Sequence, residues 1–255
     1  MKGAELEYRV IAINKSGEGA DSNMGFMRIS YNDCYQNIEA IAMDIEELQT
    51  KGWTLVDGIS SQAELLELGR SLGSPVSAPN GELVKEIRRI PADEAPLGSQ
   101  SSIYGAGPFP LHTDTVFWPL PVRYVLLRAY GDTRRPTTVM SFSNLLRECD
   151  AQFHVFAQRS VWLVGAGSKR FYCSLLFRDG DSSGWRYDVD LMSPANDAAV
   201  QVDRVLHPLV SSEKVDSITW SGDTAVVLSN WTTLHGRGPE PPNEDIRVIE
   251  RLYVR

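Results

Sequence analysis

From Leu111 to the end of the chain, short β-prone runs alternate with turn residues, and this pattern limits the fold more than any other feature. The runs are Tyr124–Tyr130, Thr138–Phe142, Ser160–Val164, Phe171–Phe177, Ile218–Trp220, Ala225–Leu228 and Arg247–Val254, separated by Gly, Pro, Asp and Ser clusters. Only Ser143–Phe156 reads as helical among them. Many short strands without alternating helices predict a sandwich or barrel of paired sheets, not βαβ units. The expected class is mainly β with flanking helices.

The earlier part reads differently. Residues 1–25 form a polar, glycine-containing arm with a β-like run at Tyr8–Ile13. Ile38, Ile41, Ile45 and Leu48 recur at helical spacing and predict a helix over Ile38–Leu48. Gly52–Val56 reads as a strand. Ser60 or Ser61 caps a second helix carrying Leu65, Leu66 and Leu68, which Gly73 and Pro75 end. Val84–Ile90 is a further strand. We therefore expect one domain over 1–255: an N-terminal arm and helix (1–50), helix and strand elements packed on the core (51–110), and the β core itself (111–255).

Composition excludes several function classes. With 25 Lys+Arg against 33 Asp+Glu, the net charge of −8 disfavours a nucleic-acid polymer as partner, because that affinity comes from cations on phosphates. No stretch approaches the ~20 apolar residues of a membrane span. The start, MKGAELEYRV, has no apolar core of a secretory signal. Cys34, Cys149 and Cys173 are far apart and odd in number, so reduced thiols and a cytoplasmic setting are expected.

Chemistry concentrates at two distant segments. Of four histidines, His112 lies in LHTD, where Asp114 two positions on shares its face if the segment is extended. His235 lies in SNWTTLHGRG. Two imidazoles and one carboxylate form the facial triad of non-haem Fe(II) oxygenases, although zinc accepts the same donors. Downstream, Arg247 and Arg251 sit at i, i+4 in a β-like run, a cationic fork suited to a dicarboxylate. Thr138 offers a hydroxyl to the same carboxylate.

The order HTD, Thr-Val-Met, NWxxLHGRG, RxxxR resembles the Fe(II)/2-oxoglutarate-dependent dioxygenases of the taurine dioxygenase (TauD/TfdA) and clavaminate-synthase type. The resemblance covers about residues 50–255, with its sharp motifs in 101–142 and 218–254. It implies a double-stranded β-helix (jelly-roll) core, with His112, Asp114 and His235 as iron ligands and catalytic centre. It implies 2-oxoglutarate held at its far carboxylate by Arg247 and Thr138, with Arg251 near the other end or the substrate. It also implies O2 as co-substrate, succinate and carbon dioxide as co-products, and hydroxylation of an unactivated C–H bond. SSIYGAGPFPLHTD, PVRYVLLR and WRYD resemble a subgroup acting on small amino-acid-like or natural-product substrates. The segment between Asp114 and His235 is shorter than in many relatives, where an insertion forms part of a lid. Related halogenases carry a small residue where Asp114 stands, so the carboxylate points to oxygen transfer.

Candidate substrate contacts are Ser101, Tyr104, Phe117, Trp118, Arg186, Asp188 and Trp231. Five have a plain alternative: Phe117, Trp118 and Trp231 as core aromatics, Arg186 and Asp188 as a solvated strand rim. His154 reads as a packed or surface histidine and His207, before Pro208, as a loop residue. Gly105-Ala-Gly107 and Gly165-Ala-Gly167-Ser-Lys169 lack the spacing of phosphate loops and read as turns. Desaturation, cyclisation and oxidative cleavage stay open beside hydroxylation. From other classes, a zinc hydrolase would need a general-base Glu beside the triad, and a 2-oxoglutarate-binding module would release no succinate.

Overall fold

In a computed structural model, the described residues are 9–12, 40–77, 81–88, 90–96, 99–129, 133–166, 169–211, 215–220, 222–239 and 248–255. They form, in chain order, β1 (Arg9–Ala12), β2 (Ala40–Met43), α1 (Ile45–Lys51), β3 (Trp53–Asp57), α2 (Gln62–Leu72), β4 (Pro75–Val76), β5 (Val84–Ile87), α3 (Gln100–Tyr104), β6 (Phe109–His112), β7 (Tyr124–Ala129), β8 (Thr133–Ser141), α4 (Phe142–Arg147), α5 (Ala151–Arg159), β9 (Val161–Ala166), β10 (Lys169–Ser174), β11 (Leu176–Asp179), β12 (Ser182–Trp185), β13 (Met192–Pro194), α6 (Asp197–Val210), β14 (Asp216–Trp220), β15 (Thr224–Ser229), β16 (Thr233–Arg237) and β17 (Ile249–Val254).

Two antiparallel sheets make the jelly-roll core. One is four-stranded, in the order β14-β8-β16-β6; the other is six-stranded, β3-β15-β7-β17-β4, with β5 also paired to β17. Side chains from both line the space between them: Val139, Ile218 and Trp220 from the smaller sheet, and Val125, Leu127, Val226, Leu228, Ile249 and Tyr253 from the larger. Alternate residues of the same strands face outward, as the period of two requires. On the larger sheet, Leu126, Ala225, Val227 and Leu252 pack under Leu48 of α1 and Leu65 and Leu68 of α2. On the smaller sheet, Leu111 and Leu234 meet α4, α5, α6 and the β9–β13 region. No helix among the described residues is long and apolar enough to cross a membrane.

Several expectations are corrected. Ile38–Leu48 is not one helix: β2 runs over Ala40–Met43, and α1 begins after Asp44, whose side chain accepts from the Glu47 N–H and caps it. Gly52 then closes α1 at φ +86, and a Cβ there would fall 1.8 Å from Thr233 Oγ1. Strands β3, β4 and β5 belong to the larger sheet itself, so the 51–110 segment is woven into the core rather than laid on it. Ser143–Phe156 is interrupted after α4, and Asp150 caps the start of α5. The fourteen-residue α6 has no counterpart in the sequence reading. The second helix starts as expected, with Ser61 and Glu64 forming a reciprocal capping box.

Candidate metal centre

The site forms where β6, β16 and β17 converge. β6 and β16 pair antiparallel with His112 directly opposite His235, so both imidazoles leave the same face of one ladder. Their ring centroids lie 4.8 Å apart. Asp114 joins them by a turn, not by the pleat that the HxD spacing suggested, because β6 ends at His112. The donor atoms of His112, Asp114 and His235 all lie within 4.8 Å of one another, and all three residues are buried.

This turn is firmly tied. The Asp114 N–H donates to Asn230 Oδ1 at 2.9 Å, while Asn230 Nδ2 donates to the Asp114 carbonyl at 3.0 Å and the Val122 carbonyl at 2.8 Å. Thr113 N–H donates to the Tyr187 carbonyl, and Tyr187 N–H donates to Thr113 Oγ1. Thr115 is held at φ +56, the sole positive φ of a non-glycine among the described residues. A β-branched residue resists that conformation, and the strain of ~1–3 kcal/mol persists only where surroundings impose it. Its Oγ1 accepts from Val122 N–H, closing the loop that presents Asp114.

The electrostatics suit a cation. Nδ1 of His112 faces the Pro110 carbonyl at 3.2 Å, which only accepts, so Nδ1 carries the proton and the Nε2 lone pair is left toward the cluster. Burial, then the neighbouring His235, lowers the His112 pKa and favours the neutral ring a metal needs. Burial pushes the Asp114 carboxyl up, but Arg251 and the two imidazoles outweigh it and hold it well below the usual carboxylate range. Nε2 of His235 lies 3.3 Å from Asp114 Oδ2, and Nε2 of His112 lies 4.0 Å from Oδ1. Donors at right angles around an ion with ~2.1 Å bonds stand ~3 Å apart, so small side-chain rotations suffice to close the group on one ion. Nδ1 of His235 is buried without a hydrogen-bond partner among the described residues. Two imidazoles and one carboxylate, buried and converging, therefore fit a divalent metal with open coordination positions.

Arg251 extends from the inner face of β17 and reaches both Asp114 oxygens through Nη1, at 3.1 Å to Oδ1 and 3.3 Å to Oδ2. Arg247 lies outside the described residues. Thr138 is turned away. It pairs with Gly236, one rung from the Val139–His235 rung, and a Cβ on Gly236 would lie 2.9 Å from Thr138 Oγ1. Thr138 therefore sits on the outer face, while buried Thr137 shares the inner face with His235.

The candidate substrate residues divide. Tyr104 lies 6.1 Å, ring to ring, from Phe109, whose ring is 5.4 Å from His112, and its hydroxyl donates to Asp190. Asp188 is buried, its Oδ1 accepts from the N–H groups of Asp190 and Leu191, and its charge acts on His112. Burial pushes its carboxyl pKa up. Trp118 stands edge-on to Tyr253. Phe117 packs against the outer cluster on the smaller sheet. Arg186 is occupied in bracing the loop after Asp114: it donates to the Trp118 and Pro119 carbonyls and stacks on Phe177. Trp231 donates to the Pro121 carbonyl and packs on Phe177. Ser101 lies in α3, its carbonyl accepting from Gly105 N–H.

Sequence reasoning missed Asn230 and Tyr253, and read Arg237 only as a brace for its loop. Arg237, two residues after His235, donates to the Gly105 and Gly107 carbonyls and covers the Phe109 ring, fixing the approach to His112. Its place in the HGR motif was the available signal. Asn230 opens the NWxxLHGRG motif, which was its signal, and Tyr253 carried none.

No protein-family model and no curated protein sequence matches the chain. Among solved structures it is similar to asparagine oxygenase in complex with Fe(II), (2S,3S)-3-hydroxyasparagine and succinate, with a TM-score of 0.62 and 18% identity over 75% of this chain and 63% of that one. The chain thus spans under two thirds of that protein. The non-heme iron oxygenase OrfP, in complex with Fe, succinate and (3S)-hydroxy-L-Arg, gives a TM-score of 0.63 at 17% identity, covering 82% of this chain and 79% of that one. The PvcB protein from Pseudomonas aeruginosa gives 0.60 at 16%, covering 82% and 77%. At these identities the shared property is the fold.

Proposed function

We propose that the protein is an Fe(II)- and 2-oxoglutarate-dependent oxygenase that hydroxylates an unactivated C–H bond of a small amino-acid-like substrate, with succinate and carbon dioxide as co-products. The observation that carries this reading is the buried convergence of His112, Asp114 and His235 with the Arg251 guanidinium beside them. A hydrolytic zinc site on the same ligands would give no role to the Arg251 guanidinium held on Asp114. The ligands bound in the structures of asparagine oxygenase and OrfP support the same class.

In this reading His112, Asp114 and His235 hold the iron. The bound iron supplies oxygen activation coupled to decarboxylation of the keto acid. The chain's own groups bind and orient. Arg247 receives the far carboxylate of 2-oxoglutarate. The accompanying hydroxyl comes from Thr137, since Thr138 lies on the outer face. Arg251 supplies cationic character between Asp114 and an incoming carboxylate. Asp188, near His112 and opposite in sign to Arg251, receives the substrate's ammonium, with Tyr104 and Asp190 behind it. Trp118 closes the wall and excludes water. Free thiols at Cys149 and Cys173 suit work in the cytoplasm.

The test is succinate release from a panel of free amino acids and their conjugates, with Fe(II), 2-oxoglutarate and oxygen each omitted in turn. All three should be required, and the product should gain one oxygen. Turnover with zinc in the absence of oxygen would replace this reading with hydrolysis.

A further inference from the structure

Asp114 touches a group that the reaction chemistry alone does not call for. Tyr253, buried on the inner face of β17, donates its hydroxyl to Asp114 Oδ1 at 3.0 Å. Arg251 straddles both carboxylate oxygens, at 3.1 and 3.3 Å, and so does not choose between them. The hydroxyl does choose. The other oxygen, Oδ2, is the one facing His235 Nε2, at 3.3 Å.

We propose that Tyr253 is a positioning residue that occupies Oδ1 of Asp114, so that this ligand offers a metal Oδ2 alone. This inference rests on the metal centre proposed above. A carboxylate closing both oxygens on an octahedral ion would fill a fourth position beside the two imidazoles. Two would remain, enough for a chelating keto acid but not for oxygen as well. A carboxylate oxygen has two lone pairs; on Oδ1 the Tyr253 hydroxyl takes one and Arg251 Nη1 draws on the other, so a second bond to the metal would have to displace a donor. The phenol is well placed for this. Its ring stands edge-on to Trp118 at 6.3 Å between centroids, and the Arg251 guanidinium lies 4.6 Å above it. Strand β17 fixes the backbone on both sides, through Val125 on β7 and Val76 on β4. The hydroxyl therefore has little freedom to leave the carboxylate. Groups that orient metal ligands in this way commonly govern affinity by ~10–100-fold.

The experiment is anaerobic titration of the full chain with Co(II) and Mn(II), comparing wild type, Tyr253→Phe and Leu252→Val. The last thins the packing on the opposite face of the same strand without touching Asp114. Melting of each metal-free protein is recorded alongside, and the titrations are run in the cold. Tyr253→Phe should weaken both ions by about 10–100-fold. It should also change the intensity of the Co(II) visible bands, which report coordination number, while Leu252→Val keeps the wild-type constant and spectrum. An unchanged constant and spectrum in Tyr253→Phe overturns the proposal. So does an equal loss in Leu252→Val, which would make the effect one of strand packing. A wild-type protein that takes up neither ion overturns the metal centre itself, a result distinct from either.

Discussion

Replacing Asn230 with alanine tests whether the turn carrying Asp114 is held by the bonds described above. Asn230 is fully buried and serves three backbone groups: the Asp114 N–H, the Asp114 carbonyl and the Val122 carbonyl. Truncation leaves one buried donor and two acceptors short of a partner. An orphaned buried group costs about 1–3 kcal/mol, and carbonyls fall at the low end because a second lone pair tolerates partial solvation. The sum is about 3–5 kcal/mol. Relaxation of Thr115 from its positive φ returns about 1 kcal/mol. The net loss of about 2–4 kcal/mol corresponds, for a chain of this size, to a fall in Tm of about 4–16 °C. Urea unfolding of the metal-free protein should show the loss as a lower midpoint with an unchanged slope. Asn230→Asp has the same shape but sets oxygen against the two carbonyls, so its loss should be at least as large. A change below about 1 kcal/mol in Asn230→Ala, within the span of ordinary surface substitutions, would refute the reasoning.

Other outcomes are expected. Asp114→Ala should abolish divalent-metal binding and succinate release, read by titration and product analysis, while His154→Ala and His207→Ala leave metal affinity at wild-type values. Arg247→Ala should weaken 2-oxoglutarate by about 2–4 kcal/mol, measured calorimetrically with Mn(II) present, and Thr138→Val should not, since that hydroxyl faces outward. Glu250→Gln should destabilise the fold by about 3 kcal/mol in urea, because it removes the charge facing buried Arg128 at 2.7 Å. Burial raises the Glu64 pKa, but bonds from Ser60 and Ser61 outweigh this and bring it below 4.5. Its stabilisation is therefore complete above pH 4.5 and lost as pH falls through the lower folded value, so Glu64→Gln should flatten the acid limb of the stability curve.

The sequence reading reached the triad because its signal is chemical: rare residue types in a fixed order survive any uncertainty about elements. It reached the two-sheet core because turn residues punctuate the strands. What escaped it has physical causes. Ile41 and Ile45 fit a helix by spacing, yet Asp44 between them is a strong cap that lets a strand end and a helix begin. In α6 the buried face of Ala199, Val202, Leu206 and Val210 is helical in period, but Val200, Val202 and Val205 favour strands and Pro208 lies inside the helix. Asn230 and Tyr253 meet Asp114 across 116 and 139 positions; Asn230 sits in the NWxxLHGRG motif, but nothing local pairs either residue with Asp114. Trp231, four residues before His235, reads equally as a core or a pocket-wall aromatic, because spacing does not show where the indole points; it is turned to the Pro121 carbonyl.

The rung joining His112 to His235 has a mechanical consequence. β6 is the outermost strand of its sheet, and its register with β16 shifts within a few residues, so few backbone bonds secure it. An ion gripped by one imidazole from each strand would rivet that margin to the body of the barrel. Loading would slow amide hydrogen exchange at Leu111 and His112, and a chelator would loosen the rim before the interior. The mouth of the barrel would thus be stiffest when it is armed for chemistry.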